Sequence, residues 1–263
     1  MCSIKNENSY GIKTRGIFYA KNEKEVRGMG NCPVRLTVFM KGCSLHCEWC
    51  HNPEACPQNR SFCIKGEMRG LWALQKICEH EECRPFGRCL HICPNDCLTL
   101  CGEEYMPESL AKKITAYKPI FDACGGGVTF SGGEPLMQWE FLFQTIDKLD
   151  GIHTAIETSG FASERVFRDM LDKIDFVYMD IKLFDGELHK KYTGLDNDTI
   201  KNNFRILQAS GKPYCIRTPL IKGKTDTEEN LRAIKEFIEK SPWEKLSENP
   251  LAKSKYLLCC QNK

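Results

Sequence analysis

Cys43, Cys47 and Cys50 stand at spacing C-x3-C-x2-C within Cys43-Ser44-Leu45-His46-Cys47-Glu48-Trp49-Cys50. A loop this short can wrap its thiolates around one metal centre. A [4Fe–4S] cubane normally takes four thiolates. Three from one loop would leave one iron without a protein ligand, and an open position invites a small chelating molecule. Such an opening separates catalytic from structural metal sites. A zinc site made of the same three cysteines with His46 or His51 draws on the same residues, and plain buried thiols are a third reading.

Further chemistry-bearing groups recur downstream. In Ser131-Gly132-Gly133-Glu134, two glycines let the backbone approach a ligand closely. Glu157-Thr158-Ser159-Gly160 follows, then Asp180-Ile181-Lys182. At a two-residue period Asp180 and Lys182 share a face with Tyr178 and Phe176. Such a pair is either a structural salt bridge or a clamp for the amino and carboxylate groups of an amino-acid-like ligand. Arg217, in Cys215-Ile216-Arg217-Thr218-Pro219, sits similarly.

These groups need elements to position them. The β-branched run at 34–40 reads as a strand that Lys41-Gly42 ends, so the cysteines lie on the loop at its carboxyl end. Further strands are expected within 124–135, at 152–158, 175–182 and 213–219, and a short one near 244–248. Helices are expected at 107–117, 137–149, 163–173 with Ser163 as cap, 198–209, and 226–240 with Asp226 as cap. Strands alternating with helices indicate parallel βαβ units. About six of them suggest an α/β fold of the open or partial barrel kind, where chemistry collects at the carboxyl ends of strands. Residues 1–30 read as a loose lead-in or an edge hairpin around 16–20. Residues 52–104 lack periodicity, apart from a short helical candidate near 71–77, and read as a cysteine-rich insert. The barrel would then comprise 1–51 and 105–263.

The chain has 263 residues and a net charge of +2, from 37 basic and 35 acidic residues. That balance does not argue for a nucleic-acid partner. No apolar run reaches membrane-spanning length, and residues 1–10 lack the apolar core of a signal peptide. A cytoplasmic protein is expected. Seventeen cysteines, twelve of them between Cys32 and Cys101, then point to metal and not disulfides, in an anaerobic or strongly reducing setting.

The chain resembles the activating enzymes of glycyl radical enzymes, in the radical S-adenosylmethionine superfamily. The match is carried by Lys41-Gly-Cys-Ser-Leu-His-Cys-Glu-Trp-Cys-His-Asn-Pro-Glu54, Gly125-Gly-Gly-Val-Thr-Phe-Ser-Gly-Gly-Glu-Pro135, Ile152-His-Thr-Ala-Ile-Glu-Thr-Ser-Gly160, Tyr178-Met-Asp-Ile-Lys182 and Asp226-Thr-Glu-Glu-Asn230. The resemblance implies a partial (β/α)6 TIM-type barrel. Cys43, Cys47 and Cys50 would hold a [4Fe–4S] cluster, whose open iron S-adenosylmethionine would chelate. One electron into the sulfonium would give methionine and a 5′-deoxyadenosyl radical, which takes a hydrogen from a glycine of a partner protein. Gly132, Gly133 and Glu134 would meet the methionine amino end. Asp180, Lys182, Arg217 and Asn249 would also contact the cofactor, with Glu48 and the aromatic Trp49 on its loop side. Glu157 and Thr158 stand where the family places ligands for a monovalent cation.

The insert resembles the ferredoxin-like insert of many such activators. Cys89-Leu-His-Ile-Cys93-Pro94 has the C-x3-C-P ending of bacterial ferredoxins, and Cys78, Cys83, Cys97 and Cys101 add ligand candidates at looser spacing. One auxiliary [4Fe–4S] cluster is expected, with room for a second; a zinc knuckle is the alternative. Two stretches depart from the family. Asn31-Cys32-Pro33-Val34-Arg35 replaces its Asp-Gly-Pro-Gly-Ile-Arg, and Leu246-Ser247-Glu248-Asn249 replaces its Leu-Pro-Tyr-His/Asn. The expected partners are a glycyl radical enzyme and a flavodoxin or ferredoxin electron donor, the chain itself being a monomer. A radical enzyme acting on a small molecule is the second reading. A ferredoxin-like electron carrier is the third, against which the Gly-Gly-Glu and Asp-x-Lys elements speak, because a carrier needs no amino-acid clamp.

Overall fold

The computed structural model describes residues 10–19, 34–56, 61–64 and 98–247. The strands, in chain order, are β1 (Tyr10–Tyr19), β2 (Val34–Met40), β3 (Ser61–Ile64), β4 (Leu98–Cys101), β5 (Glu103–Tyr105), β6 (Gly127–Gly132), β7 (His153–Thr158), β8 (Phe176–Asp180), β9 (Tyr214–Leu220) and β10 (Trp243–Ser247). One eight-stranded sheet runs β10-β9-β8-β7-β6-β2-β1-β5. From β2 to β10 its six strands are parallel. β1 pairs antiparallel with β2, and β5 with β1. β1 thus takes the β2 edge that ring closure would need, and the sheet is open. β3 and β4 form a separate antiparallel pair.

The two faces of β2 explain the layering. Val34, Leu36, Val38 and Met40 are buried, while Arg35, Thr37 and Phe39 between them are half-buried. In a strand, alternate residues face opposite sides of the sheet. The fully buried set joins Phe130, Ile156, Met179 and Ile216 from neighbouring strands in one core. Helices supply the other side of that core: α1 (Pro107–Thr115), α2 (Lys118–Cys124), α3 (Trp139–Ile146), α4 (Glu164–Lys173), α5 (Gly186–Thr193), α6 (Asp198–Ala209) and α7 (Glu228–Ile238). Ile114, Phe141, Phe167, Phe204 and Ile234 are their contributions, all fully buried. The other face is polar and concave. On it, Arg217 of β9 reaches past β8 to Glu157 on β7.

Most expected elements are present, and Ser163 caps α4 by accepting from the Val166 N–H at 3.4 Å. Several differ. The helix expected at 107–117 breaks at Tyr117 and restarts as α2, with Pro119 in its first turn, where the missing N–H costs nothing. The lead-in around 16–20 is a ten-residue strand. The cap of α7 is Thr227, not Asp226, whose carboxylate instead accepts from Gly223 N–H at 2.7 Å. α5 has no counterpart among the expected helices. The candidate helix near 71–77 lies outside the described residues.

Candidate active site

The cysteine loop hangs between two anchors at the carboxyl end of β2. On one side, Gly42 N–H donates to the Ala55 carbonyl at 2.7 Å and Cys43 N–H to the Cys56 carbonyl at 3.1 Å. On the other, His46 N–H donates to Thr193 at 2.7 Å and Glu48 N–H to Tyr192 at 3.2 Å. Those two carbonyls end α5, where no further helical N–H would satisfy them. α5 is itself fixed by its Asp185 cap and by buried His189, whose ring Nδ1 lies 2.6 Å from the Leu195 carbonyl.

Cys43, Cys47, Cys50 and Trp49 form one wall of a pocket; Ser131–Glu134, Glu157–Ser159, Asp180, Lys182 and Arg217 form the other. These groups, from five separate stretches of the sequence, therefore line one pocket. Burial pushes the Cys43 thiol up to about 12, with the nearby Glu134 carboxylate adding to it. Burial also lifts Cys47, to about 11, against the opposing pull of Lys182. Ionising these thiols alone is costly, and metal binding supplies the compensation while releasing protons. Among the described residues, no three Cys, His, Asp or Glu side chains converge on a single ion's shell. Trp49 Nε1 on this wall, and Ser44 Oγ in the same loop, are buried without a hydrogen-bond partner among the described residues. Such groups are costly unless a ligand completes them.

The glycines of this stretch also pack closely against the chain itself. A Cβ on Gly132 would lie 2.3 Å from the Met40 carbonyl oxygen, and one on Gly133 2.1 Å from that of Gly42. The backbone that approaches closely is that of the end of β2 and the start of the cysteine loop. Gly133 N–H donates to Met40 O at 2.8 Å and Glu134 N–H to Gly42 O at 2.7 Å. The Glu134 carboxylate is buried. It accepts from Leu136 N–H (3.2 Å), Thr158 Oγ1 (2.6 Å), Ser159 N–H (2.8 Å) and Ser159 Oγ (2.6 Å). Those four donors use its acceptor capacity. Burial still raises its pKa, against the donors from Ser159 and Thr158. Glu134 thus ties the β6 loop to the end of β7.

Lys182 Nζ and Asp180 Oδ2 pair at 2.9 Å, both lining the pocket. Burial lowers the lysine pKa, but Asp180 and the Cys47 group outweigh it and hold Lys182 protonated. Arg217 bridges Glu157 at 2.8 Å and Glu244 at 3.0 Å, its guanidinium 3.7 Å from the Tyr178 ring centroid. Desolvation of Arg217 is likewise outweighed by Glu157 and Asp180. Glu157 also accepts from Ser131 Oγ at 2.5 Å. Glu48 is not among the lining residues; its exposed carboxylate pairs with Lys224, whose ammonium lies 4.9 Å from the Tyr192 ring and 5.8 Å from that of Trp49.

Sequence reasoning missed Glu244, Ser159 and Cys56 as site neighbours. Cys56 Sγ lies 3.5 Å from Cys50 Sγ, and sharing a proton with Cys50, together with burial, pushes its own pKa up. Cys78, Cys83, Cys89, Cys93, Cys97 and Asn249 lie outside the described residues.

The chain is similar to several known proteins. Residues 37–237 match the Radical SAM superfamily. The chain is 34% identical over 258 residues to a 4-hydroxyphenylacetate decarboxylase activating enzyme of Clostridium scatologenes, covering 88% of this chain and 81% of that one. It is 37% identical over 238 residues to a trans-4-hydroxy-L-proline dehydratase activating enzyme of Clostridioides difficile, covering 78% and 74%. A choline trimethylamine-lyase activating enzyme of Oleidesulfovibrio alaskensis is 33% identical, covering 78% and 73%. Among solved structures, Streptococcus suis SuiB bound to its precursor peptide SuiA superposes with a TM-score of 0.56 at 13% identity, covering 85% of this chain and 41% of that one, a likeness of fold alone. The chain belongs to the radical SAM superfamily, which works with a [4Fe–4S] cluster and S-adenosylmethionine, and within it to the activating enzymes of glycyl radical enzymes.

Proposed function

We propose that the described pocket is where this activating enzyme holds its cluster and S-adenosylmethionine, and that each wall has its own task. Cys43, Cys47 and Cys50 hold the cluster; the half-buried thiols and the orphaned Trp49 Nε1 beside them fit such an occupant. When bound, the cluster supplies the electron that cleaves the cofactor's C–S bond, and the adenosyl carbon so freed abstracts hydrogen from the partner's glycine. Asp180 and Lys182 exchange part of their mutual pairing for the cofactor's amino and carboxylate groups. Arg217 adds a second cation. The backbone of Gly132, Gly133 and Glu134 takes the amino end, since the Glu134 carboxylate is already engaged. Trp49 and Glu48 border the nucleoside side, and Asn249 is a further contact. Glu157 and Thr158 offer oxygens to a monovalent cation.

The observation that carries this reading is the convergence of the three thiols and the Asp180–Lys182 pair on one pocket. Within 52–104, Cys78, Cys83, Cys89, Cys93 and Cys97 hold one auxiliary [4Fe–4S] cluster, with a second accommodated by the remaining cysteines. Electrons come from a flavodoxin or ferredoxin. The enzyme works as a cytoplasmic monomer that docks transiently on a glycyl radical enzyme. No helix among the described residues is long and apolar enough to cross a membrane.

The test mixes the chain anaerobically with a candidate glycyl radical enzyme, S-adenosylmethionine and a reductant. A glycine-centred doublet should appear in the partner's EPR spectrum. Turnover of the cofactor with a small metabolite, and no doublet in any such partner, would replace this reading.

A further inference from the structure

We propose that Cys56 donates an S–H hydrogen bond to the Cys50 sulfur in the cluster-loaded enzyme and thereby raises the reduction potential of that cluster. The inference rests on the cluster assignment above and adds a residue outside the C-x3-C-x2-C spacing. The sulfur atoms of Cys50 and Cys56 are 3.5 Å apart, a distance suited to a thiol donating to a sulfur acceptor.

Cys56 is held there by backbone. A 3-10 turn at Pro53–Ala55 delivers it, with Cys56 N–H donating to Pro53 O at 3.2 Å. Its carbonyl accepts from Cys43 N–H, so it is tied to the residue that begins the ligand loop. On the far side the segment abuts Gly133, where an added Cβ would come within 3.0 Å of the Ala55 oxygen. The contact between the two sulfurs therefore does not depend on a mobile side chain reaching across solvent.

Ligation removes the Cys50 proton, because thiolates and not thiols bind metal. The proton between the two sulfurs is then the one on Cys56. A donor to a ligating sulfur withdraws negative charge from the cluster and favours its reduced, more negative state, which is how hydrogen bonds to sulfur tune potential. Cys56 would act as a positioning and tuning residue. It makes the cluster easier for the electron donor to reduce and keeps the Cys50 side chain in one rotamer.

The experiment uses the full chain, reconstituted anaerobically, as wild type, Cys56→Ala and Cys56→Ser. Potentials are read by EPR on the signal that changes when S-adenosylmethionine is added, which separates this cluster from any in the insert. The Ala variant should titrate at a more negative potential than wild type at equal iron content. The Ser variant, which keeps a donor, should lie on the wild-type side of Ala. Equal potentials for wild type and Ala would overturn the inference. If Ala fails to load, proton ENDOR on the reduced cluster of wild type and Ser decides. An exchangeable proton coupling that changes between the two supports the bond, and identical couplings overturn it. A wild-type chain with no signal responsive to S-adenosylmethionine would instead sink the cluster assignment itself.

Discussion

The two walls of the pocket are built on opposite terms. The loop wall, Cys43 to Cys56, is held almost entirely by its backbone, through Ala55, Cys56, Tyr192 and Thr193. Its side chains are left wanting: two thiols resist ionisation by burial, and Trp49 Nε1 and Ser44 Oγ lack partners among the described residues. The strand-end wall is the reverse. Glu134 has four donors, Lys182 has Asp180, and Arg217 has two carboxylates and an aromatic face. One wall becomes satisfied only when its ligand arrives. The other is satisfied beforehand and must trade internal pairs for ligand contacts. Mutations at the buried, fully engaged groups of the strand-end wall should therefore damage the fold, those at its partly exposed pair should act on binding, and mutations in the loop wall should damage loading.

The largest effect should come from Glu134→Ala. Removing an acceptor that buried donors share leaves them stranded, at a cost of about 3 kcal/mol or more. Urea unfolding of the metal-free chain would read this as a lower midpoint. A midpoint equal to wild type would mean that the strand-end wall does not rely on the carboxylate.

Asp180→Ala should act next, on binding more than on folding, because the pair is partly exposed, with 12% of the Lys182 and 33% of the Asp180 side chain accessible. S-adenosylmethionine affinity should fall about tenfold, roughly 1.4 kcal/mol, with iron content intact. Unchanged affinity would favour a purely structural salt bridge.

Lys224→Met tests the joint between the walls. In the Lys224–Glu48 pair Glu48 is exposed and Lys224 half-buried, so its loss should lower stability by only about 0.5 kcal/mol. A loss of several times that size would show that the β9–α7 loop, and not the backbone of α5, holds the cysteine loop in place.

Much of this was readable in advance where a pattern forces it. The alternation in 34–40, the capped stripe of α4 and the twelve residues of α6 announce parallel βα units. Their strand ends announce where the charges go. α5 was missed because Gly186-Glu-Leu-His-Lys-Lys-Tyr-Thr193 buries only His189 and Thr193, so no apolar stripe marks it; its role is to present two carbonyls, which sequence does not display. The glycines at 132 and 133 illustrate a related point. A glycine signals close approach but does not say by what, and here the neighbour lies about ninety residues away in the chain. Cys56 escaped because it sits outside the ligand spacing and is brought to Cys50 by a single 3-10 turn.

The most direct measurement is reductive cleavage of S-adenosylmethionine by the wild-type chain and by Cys43→Ala/Cys47→Ala/Cys50→Ala, both reconstituted without oxygen. The wild type should yield methionine and 5′-deoxyadenosine, and the triple variant neither, while keeping roughly four irons per chain, one cubane's worth, in the insert. Cleavage that persists without the three loop cysteines would contradict the assignment of the loop wall as the site of the reaction.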